Sequence, residues 1–182
     1  MENNKIMKYK EYINLLLKWN KTHSVTNYNK AELQTQINDT IKALDFIDKD
    51  IKTAIDIGTG AGIPGLILAM AMPNTTWYLI EPLQKRYSFL NYAKLKLGLK
   101  NVEVIPKRIE QIEPFKVDLI TSRAVKDTKF LIDLSKEFIN DDTIMLLYKG
   151  ENAQNEIKNI EAKKNIFKHN KLNYVILKEI KC

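Results

Sequence analysis

Apolar and polar positions divide the chain into two parts with different periodicities. In residues 5–20 and 33–44, apolar side chains recur every three or four residues, which is typical of amphipathic helices. From Thr53 onward, short runs rich in β-branched and aromatic residues are separated by helical stretches. We therefore predict a helical appendage over residues 1–52 and an α/β domain over residues 53–182.

The longer part contains six predicted strands and four predicted helices. The strands are Ala54 to Ile57, Thr76 to Ile80, Val102 to Ile105, Val117 to Thr121, Thr143 to Tyr148 and Tyr174 to Ile180. The helices are Pro64 to Met72, Gln84 to Leu97, Thr128 to Phe138 and Glu151 to Lys164. Because strands alternate with helices, we expect a parallel sheet that is covered on both faces.

Length and composition favour one compact unit with a small appendage. The chain has 182 residues, of which 45% are hydrophobic, and a chain of this size buries a core without disulfides or a structural metal. The only cysteine is Cys182, which argues against a disulfide framework, a zinc site and a cysteine nucleophile. We accordingly expect no metal site.

No segment of the sequence predicts insertion into a membrane. The first residues lack the basic and apolar regions of a signal peptide. The longest apolar run, Leu66 to Met72, is much shorter than the roughly 20 residues that cross a bilayer. We expect a cytoplasmic protein that does not associate with membranes.

The charge balance leaves the class of partner open. Lysine and arginine number 29 against 22 acidic residues, giving a net charge of +7 and a pI near 9.3. Such a surplus is typical of proteins that meet polyanions. A general bias toward lysine, asparagine and isoleucine produces the same pI without any function, and the chain has no polybasic block. Nucleic-acid binding is therefore a hypothesis that charge alone does not decide.

A cluster of glycines gives the strongest local signal. Four of the six glycines, Gly58, Gly60, Gly62 and Gly65, lie within eight positions just after the first predicted strand. Glycines allow a tight turn and a close approach of the backbone to a ligand. In an open α/β sheet, ligands bind at this carboxyl end of the strands. The spacing fits a dinucleotide site or an S-adenosylmethionine site.

Two acidic residues and the lack of a hydride-transfer catalyst favour S-adenosylmethionine. Asp56 precedes the first glycine by two residues, where its carboxylate can face a cationic amino-acid group directly or through water and would repel a pyrophosphate. Glu81 ends the next strand, where it can accept hydrogen bonds from both ribose hydroxyls, as in NAD sites. Neither His23 nor His169 is placed as a catalyst for hydride transfer. Methyl transfer requires mainly positioning.

A set of short motifs extends from about Leu16 to about Glu156. The motifs are Lys18-Trp19-Asn20-Lys21, Asp56 to Gly65, Lys85-Arg86 with Phe89-Leu90, Arg108-Ile109-Glu110, Ser122-Arg123-Ala124 and Lys149-Gly150. In this order and spacing they resemble the bacterial small-subunit ribosomal RNA methyltransferase G proteins, also called glucose-inhibited division protein B. Many methyltransferases share the glycine motif, whereas the combination is specific to this family.

The resemblance implies a fold and an activity. The implied fold is a class I S-adenosylmethionine-dependent methyltransferase, which is Rossmann-like, with a mostly parallel seven-stranded sheet and an N-terminal helical appendage. The implied reaction is methylation of N7 of a guanine in 16S ribosomal RNA. By position, the family's cofactor contacts correspond to Gly58, Ile63, Ile109, Glu110 and Arg123. The residues themselves add Asp56, Gly60 and Glu81 to this predicted set.

Two basic residues are candidates for contact with the substrate. Arg123 follows the fourth predicted strand and is one of only three arginines among the 29 basic residues, which suggests that its bidentate fork is needed. Lys149 ends the fifth strand, where it could neutralise an RNA phosphate. In place of an Arg-His pair that is common in the family's appendage, this chain has Thr35-Gln36.

Three functions are open at this stage. The first is an RNA guanine-N7 methyltransferase that acts as a monomer on 16S ribosomal RNA or the small ribosomal subunit. The second is a class I methyltransferase for a small molecule. The third is a non-catalytic, cofactor-binding factor in ribosome assembly.

Overall fold

A twisted seven-stranded sheet organises the chain. The computed structural model describes residues 2–123, 127–170 and 172–181. The strands are β1 (Thr53–Ile57), β2 (Thr76–Ile80), β3 (Val102–Ile105), β4 (Leu119–Arg123), β5 (Ile144–Lys149), β6 (Lys163–His169) and β7 (Leu172–Lys178). Their order is β3-β2-β1-β4-β5-β7-β6. Strands β1 to β5 are parallel, and β7 is antiparallel to both of its neighbours.

Helices precede the sheet and connect its strands. They are α1 (Glu2–His23), α2 (Lys30–Lys42), α3 (Gly65–Ala71), α4 (Gln84–Lys96), α5 (Thr128–Ser135) and α6 (Ala153–Glu156). Short 3₁₀ turns lie at Ala43–Phe46, Ile109–Gln111 and Lys136–Phe138. The six predicted strands are all present, with ends that differ by no more than two residues. Among the described residues, no helix combines the length and the apolarity that crossing a membrane requires.

The predicted helix from Glu151 to Lys164 is wrong. Only the four residues of α6 are helical, and the chain then enters β6, which had not been predicted. Exposed polar side chains dominate β6, so its sequence lacks the apolar alternation of a half-buried strand. The strand forms because β7 supplies a complete antiparallel partner. Lysines on such an edge strand also hinder pairing with another chain.

Two hydrophobic layers cover the sheet, one on each face. Alternate residues of the central strands point to opposite layers, as the period of two in a β-strand requires. In β1, Ala54 contributes to the layer built with α1 to α4, and Ile55 contributes to the layer built with α5 and α6. Asp56, two residues after Ala54, therefore lies on the α1 to α4 side. Arg123 and Tyr148 lie on this side too, because they follow Leu119 and Ile144 at even spacing.

The appendage is helical, as predicted, and it packs into the same core as the sheet. Tyr12 and Leu33 are fully buried in the layer that contains α3 and α4. Hydroxyl groups fasten it further: Tyr12 Oη donates to the Ala61 carbonyl at 2.7 Å, and Tyr148 Oη donates to the Thr40 carbonyl at 3.2 Å. A division into domains at residue 52 stays a prediction. In the structure, both parts share one hydrophobic cluster.

Candidate functional site

A cleft of about 670 Å³ opens at the carboxyl ends of β1, β2 and β4. Its volume is within the range of small-molecule sites. Two walls enclose it. The sheet wall consists of residues 58–61, 63, 81–83, 86 and 123, and the helical wall consists of residues 24–28, 33 and 36. The appendage thus supplies one side of the cleft, a role that the sequence did not predict.

The four clustered glycines have two different roles. Gly58 and Gly60 line the cleft with positive φ angles of 68° and 62°, which side chains other than glycine rarely adopt. A Cβ at Gly60 would have its nearest neighbour 4.0 Å away, so the space beside this residue is open to a ligand. A Cβ at Gly65 would lie only 2.5 Å from both Asp56 Oδ2 and Leu79 Cδ2. Gly65 therefore serves the packing of α3 against the sheet.

Asp56 supports the glycine turn from beneath, and its contact with the cofactor, directly or through water, stays a prediction. The side chain is fully buried and does not line the cleft. Its Oδ2 accepts a hydrogen bond from Gly65 N at 2.8 Å, and its Oδ1 accepts one from Thr121 Oγ1 at 2.8 Å. Burial raises the pKa of this carboxyl to about 6. The carboxyl is buried because Asp56 lies within β1 and its side chain faces α3 instead of the end of the strand.

Glu81 lines the cleft at the end of β2, as predicted. Its Oε2 accepts a hydrogen bond from Gly60 N at 2.9 Å, and its Oε1 accepts one from Leu83 N at 2.9 Å. Arg86 Nη1 lies 3.8 Å from Oε2. Each carboxylate oxygen retains a second acceptor position. The carboxylate is therefore fixed in place and can still accept hydrogen bonds from a ribose diol.

Arg123 also lines the cleft, at the end of β4. Its guanidinium lies 5.8 Å from the centre of the Tyr148 ring, and its Nη1 is buried without a hydrogen-bond partner among the described residues. Two acids that could have formed an ion pair with it are engaged elsewhere. Asp118 accepts from two backbone N–H groups at the start of β1, and Asp127 accepts from Phe130 N at the start of α5. The structure thus leaves Arg123 facing the cleft with unused donor capacity.

Lys149 is held in an ion pair that the sequence did not reveal. Its Nζ lies 2.7 Å from Glu156 Oε2, and the side chain is largely buried. Thr128 Oγ1 donates to the same carboxylate oxygen at 3.2 Å. The pair connects the end of β5 with α6, and Thr128 joins the start of α5 to it. Contact of Lys149 with an RNA phosphate stays a prediction, and it would have to compete with Glu156.

Ile109 and Glu110 lie outside the cleft lining. They form the 3₁₀ turn that follows β3, where Ile109 is buried in the layer on the opposite face of the sheet and Glu110 is exposed. The predicted adenine contact of this pair stays a prediction. Ile63, the remaining apolar residue of the predicted set, does line the sheet wall.

Asn20 shapes the helical wall. Its Oδ1 accepts hydrogen bonds from Val25 N at 2.7 Å and Thr26 N at 2.9 Å, and its Nδ2 donates to the Thr26 carbonyl at 2.7 Å. One amide thus fixes the loop that carries Tyr28, whose side chain is 42% exposed at the mouth of the cleft. The Trp19-Asn20 motif was a signal for this role, although the sequence alone did not show what Asn20 holds.

The turn is better suited to a cationic ligand than to a pyrophosphate. In dinucleotide sites, free N–H groups of the turn and of the helix N-terminus bind the phosphates. Here, Gly60 N donates to Glu81 and Gly65 N donates to Asp56, so these N–H groups are used by carboxylates. Two acids beside the turn would also repel a pyrophosphate. An open Gly60, a fixed Glu81 and apolar Ile63 fit S-adenosylmethionine, whose α-ammonium group and sulfonium are cationic.

Comparison with known proteins agrees with this geometry. The sequence matches the family model for rRNA small subunit methyltransferase G over residues 5–181. The chain belongs to this family. It is 41% identical over 175 residues to the ribosomal RNA small subunit methyltransferase G of Campylobacter fetus subsp. fetus, covering 96% of this chain and 95% of that relative. The protein of the same name from Helicobacter acinonychis is 48% identical over 149 residues, covering 81% and 83% of the two chains.

The fold of this methyltransferase recurs in solved structures. A SAM-dependent methyltransferase from Aquifex aeolicus superposes with a TM-score of 0.61 at 19% identity, covering 78% of this chain and 89% of that one. The predicted class I α/β fold with a mostly parallel seven-stranded sheet is confirmed. Family membership likewise confirms S-adenosylmethionine as the expected cofactor.

Proposed function

We propose that this chain transfers a methyl group from S-adenosylmethionine to N7 of a guanine in 16S ribosomal RNA of the small subunit. The observation that carries the proposal is the family match over residues 5–181. The cleft supports it because a wall suited to the cofactor faces a second wall that is free to receive a base. The surplus of basic residues favours an RNA substrate over a neutral small molecule.

The reaction requires little acid–base chemistry. When bound, S-adenosylmethionine supplies an electrophilic methyl group on a sulfonium. The N7 lone pair of guanine is available at neutral pH, so it could form the new N–C bond without prior loss of a proton. The methyl–sulfur bond would break, S-adenosylhomocysteine would leave as a neutral thioether, and the positive charge would pass to the methylated purine. Among the described residues that line the cleft, none is histidine or cysteine, and Glu81 is the only carboxylic acid. The cleft is thus equipped for positioning, which can supply much of the rate.

Each cleft residue then has a positioning role. Glu81 would accept hydrogen bonds from the ribose hydroxyls of the cofactor, while Gly58 and Gly60 let the backbone approach its amino-acid end. Ile63 adds an apolar contact. Arg123, at the end of β4 on the sheet wall, can hold the guanine near the methyl group. These assignments explain why the predicted residues that line the cleft come from the ends of three different strands.

The base has to reach the cleft from an unpaired segment or leave its stack. Unstacking a nucleotide costs a few kcal/mol, which contacts inside the cleft must offset. Tyr28 at the mouth offers an exposed aromatic ring on which a base can stack. We propose that the protein acts as a monomer in the cytoplasm, on 16S RNA or on the small subunit.

The test is methyl transfer from radiolabelled S-adenosylmethionine to 16S RNA and to 30S subunits from cells that lack this protein. Nuclease mapping then identifies the modified base. We expect one labelled N7-methylguanine. A labelled base other than guanine, or the absence of label on both RNA forms despite tight cofactor binding, would contradict the proposal.

A further inference from the structure

Gln36 is a polar residue of the helical wall that no step of the proposed reaction uses. It lines the cleft, and its Oε1 is buried without a hydrogen-bond partner among the described residues. Buried polar atoms in proteins nearly always have partners, and one left without a partner is costly. An unused acceptor on the wall of a binding cleft indicates that a ligand supplies the donor.

The position of Gln36 is fixed by the helix that carries it. Asn29 caps α2 in a reciprocal pair with Glu32, and Leu33 and Ile37 anchor the helix in the core. Thr40, one turn after Gln36, donates its hydroxyl to the Gln36 carbonyl at 2.7 Å. The backbone of Gln36 therefore has little freedom, and the residue lines the cleft from a rigid element.

One tyrosine links the helix that carries Gln36 to the strand that carries Arg123. The Tyr148 hydroxyl donates to the Thr40 carbonyl of α2, and the ring of Tyr148 lies beneath the Arg123 guanidinium. Tyr148 and Arg123 are also paired residues of adjacent strands. An acceptor on α2 and a donor on β4, both without a partner among the described residues, thus belong to one rigid frame.

We propose, on the basis of the proposed function, that Gln36 determines specificity for guanine by accepting a hydrogen bond from its 2-amino group, while Arg123 donates to O6. The Watson–Crick edge of guanine presents an acceptor, O6, beside two donors, N1–H and the 2-amino group. Adenine presents a donor at the position of O6. A base held by O6 and the 2-amino group keeps N7 free for the methyl group. The donor, Arg123, thus matches O6 of guanine, and the acceptor, Gln36, matches its 2-amino group.

The test is a cycle of two proteins and two bases. Wild type and Gln36→Leu are assayed by single-turnover methylation of a 16S RNA fragment with guanine or inosine at the modified position. Inosine lacks only the 2-amino group. We expect wild type to be about tenfold slower on inosine than on guanine, the value of one hydrogen bond. Gln36→Leu should be about tenfold slower than wild type on guanine and should no longer distinguish the two bases.

Two further variants separate specificity from folding. Gln34→Leu alters the same residue type on the exposed face of α2 and should retain the wild-type preference. Gln36→Glu keeps an acceptor and should also retain the wild-type preference for guanine over inosine. The proposal is overturned if wild type does not distinguish guanine from inosine, or if Gln36→Leu distinguishes them as well as wild type does.

Failure of the proposed function can be told apart from failure of this inference. If wild type does not methylate the guanine RNA, the proposed function fails. Equilibrium binding of guanosine and inosine monophosphate to the protein with S-adenosylhomocysteine then tests Gln36 without catalysis. We expect wild type to bind guanosine monophosphate more tightly than inosine monophosphate. Gln36→Leu should bind the two nucleotides equally. Binding of neither nucleotide, or equal binding of both to wild type, overturns the inference.

Discussion

The sheet wall of the cleft is shaped by its backbone, whereas side chains hold the helical wall in place. On the sheet wall, left-handed glycines form the turn, and carboxylates of Asp56 and Glu81 accept hydrogen bonds from backbone N–H groups. On the helical wall, the amide of Asn20 fixes the loop and the hydroxyl of Tyr148 fastens α2. We therefore expect substitutions on the sheet wall to change cofactor binding and substitutions on the helical wall to change RNA binding.

The largest effect is expected at Gly65, the packing glycine behind the sheet wall. In Gly65→Ala, the new methyl group would meet Asp56 and Leu79 at 2.5 Å, both in the closely packed interior. We expect a loss of about 3 kcal/mol or more in the free energy of unfolding, measured with urea. Gly150→Ala is the control, since a Cβ there meets nothing within 4 Å. Equal stability of the two variants would show that α3 does not need this close approach.

Asp56, the acid buried behind the sheet wall, should give stability an unusual pH dependence. The pKa of Asp56 rises from 3.8 to about 6 on folding, so the folded protein keeps a proton that the unfolded chain releases between these values. The contribution of this group to stability therefore falls as pH rises from 4 to 7, by up to about 3 kcal/mol. Urea unfolding of wild type and Asp56→Asn should show their stability difference shifting against wild type over this range. A constant difference would contradict the raised pKa.

Removing the charge of Glu81 should weaken cofactor binding specifically. Glu81→Gln lowers the acceptor strength toward the ribose and loosens the hold on Gly60 N. We expect the Kd for S-adenosylhomocysteine, measured by calorimetry, to rise about 10- to 100-fold, because hydrogen bonds to charged groups contribute about 1.5–3 kcal/mol. RNA affinity should be unchanged. Weaker RNA binding with an unchanged Kd for S-adenosylhomocysteine would contradict the assignment of the cofactor to the sheet wall.

The smallest effect is expected from the loop of the helical wall. Asn20→Ala removes all three hydrogen bonds between this side chain and the backbone of residues 25 and 26. We expect the KM for RNA to rise about tenfold with little change in cofactor Kd, since the loop would lose its fixed shape. Asn38→Ala, on the exposed face of α2, is the matched control. A larger effect on cofactor binding than on KM would refute the division between walls.

The sequence predicted the sheet wall better than the helical wall, for physical reasons. A strand followed by clustered glycines and then by a strand ending in Glu81 is a local pattern, and parallel strands bring their ends together. The pairing of Lys149 with Glu156, by contrast, depends on how far α6 extends, and β6 forms only because β7 is beside it. Gln36 reaches the cleft because of the way α2 packs, which no local pattern encodes.

Hydrogen exchange of the whole protein tests most directly the claim that the two walls bind different ligands. Amide exchange would be measured with and without S-adenosylhomocysteine, and then with 16S RNA added. We expect the cofactor product to protect residues 58–63 and 81–83, and RNA to add protection at residues 24–29 and along α2. Protection of the helical wall by the cofactor product alone, or no response of residues 24–29 to RNA, would contradict the account.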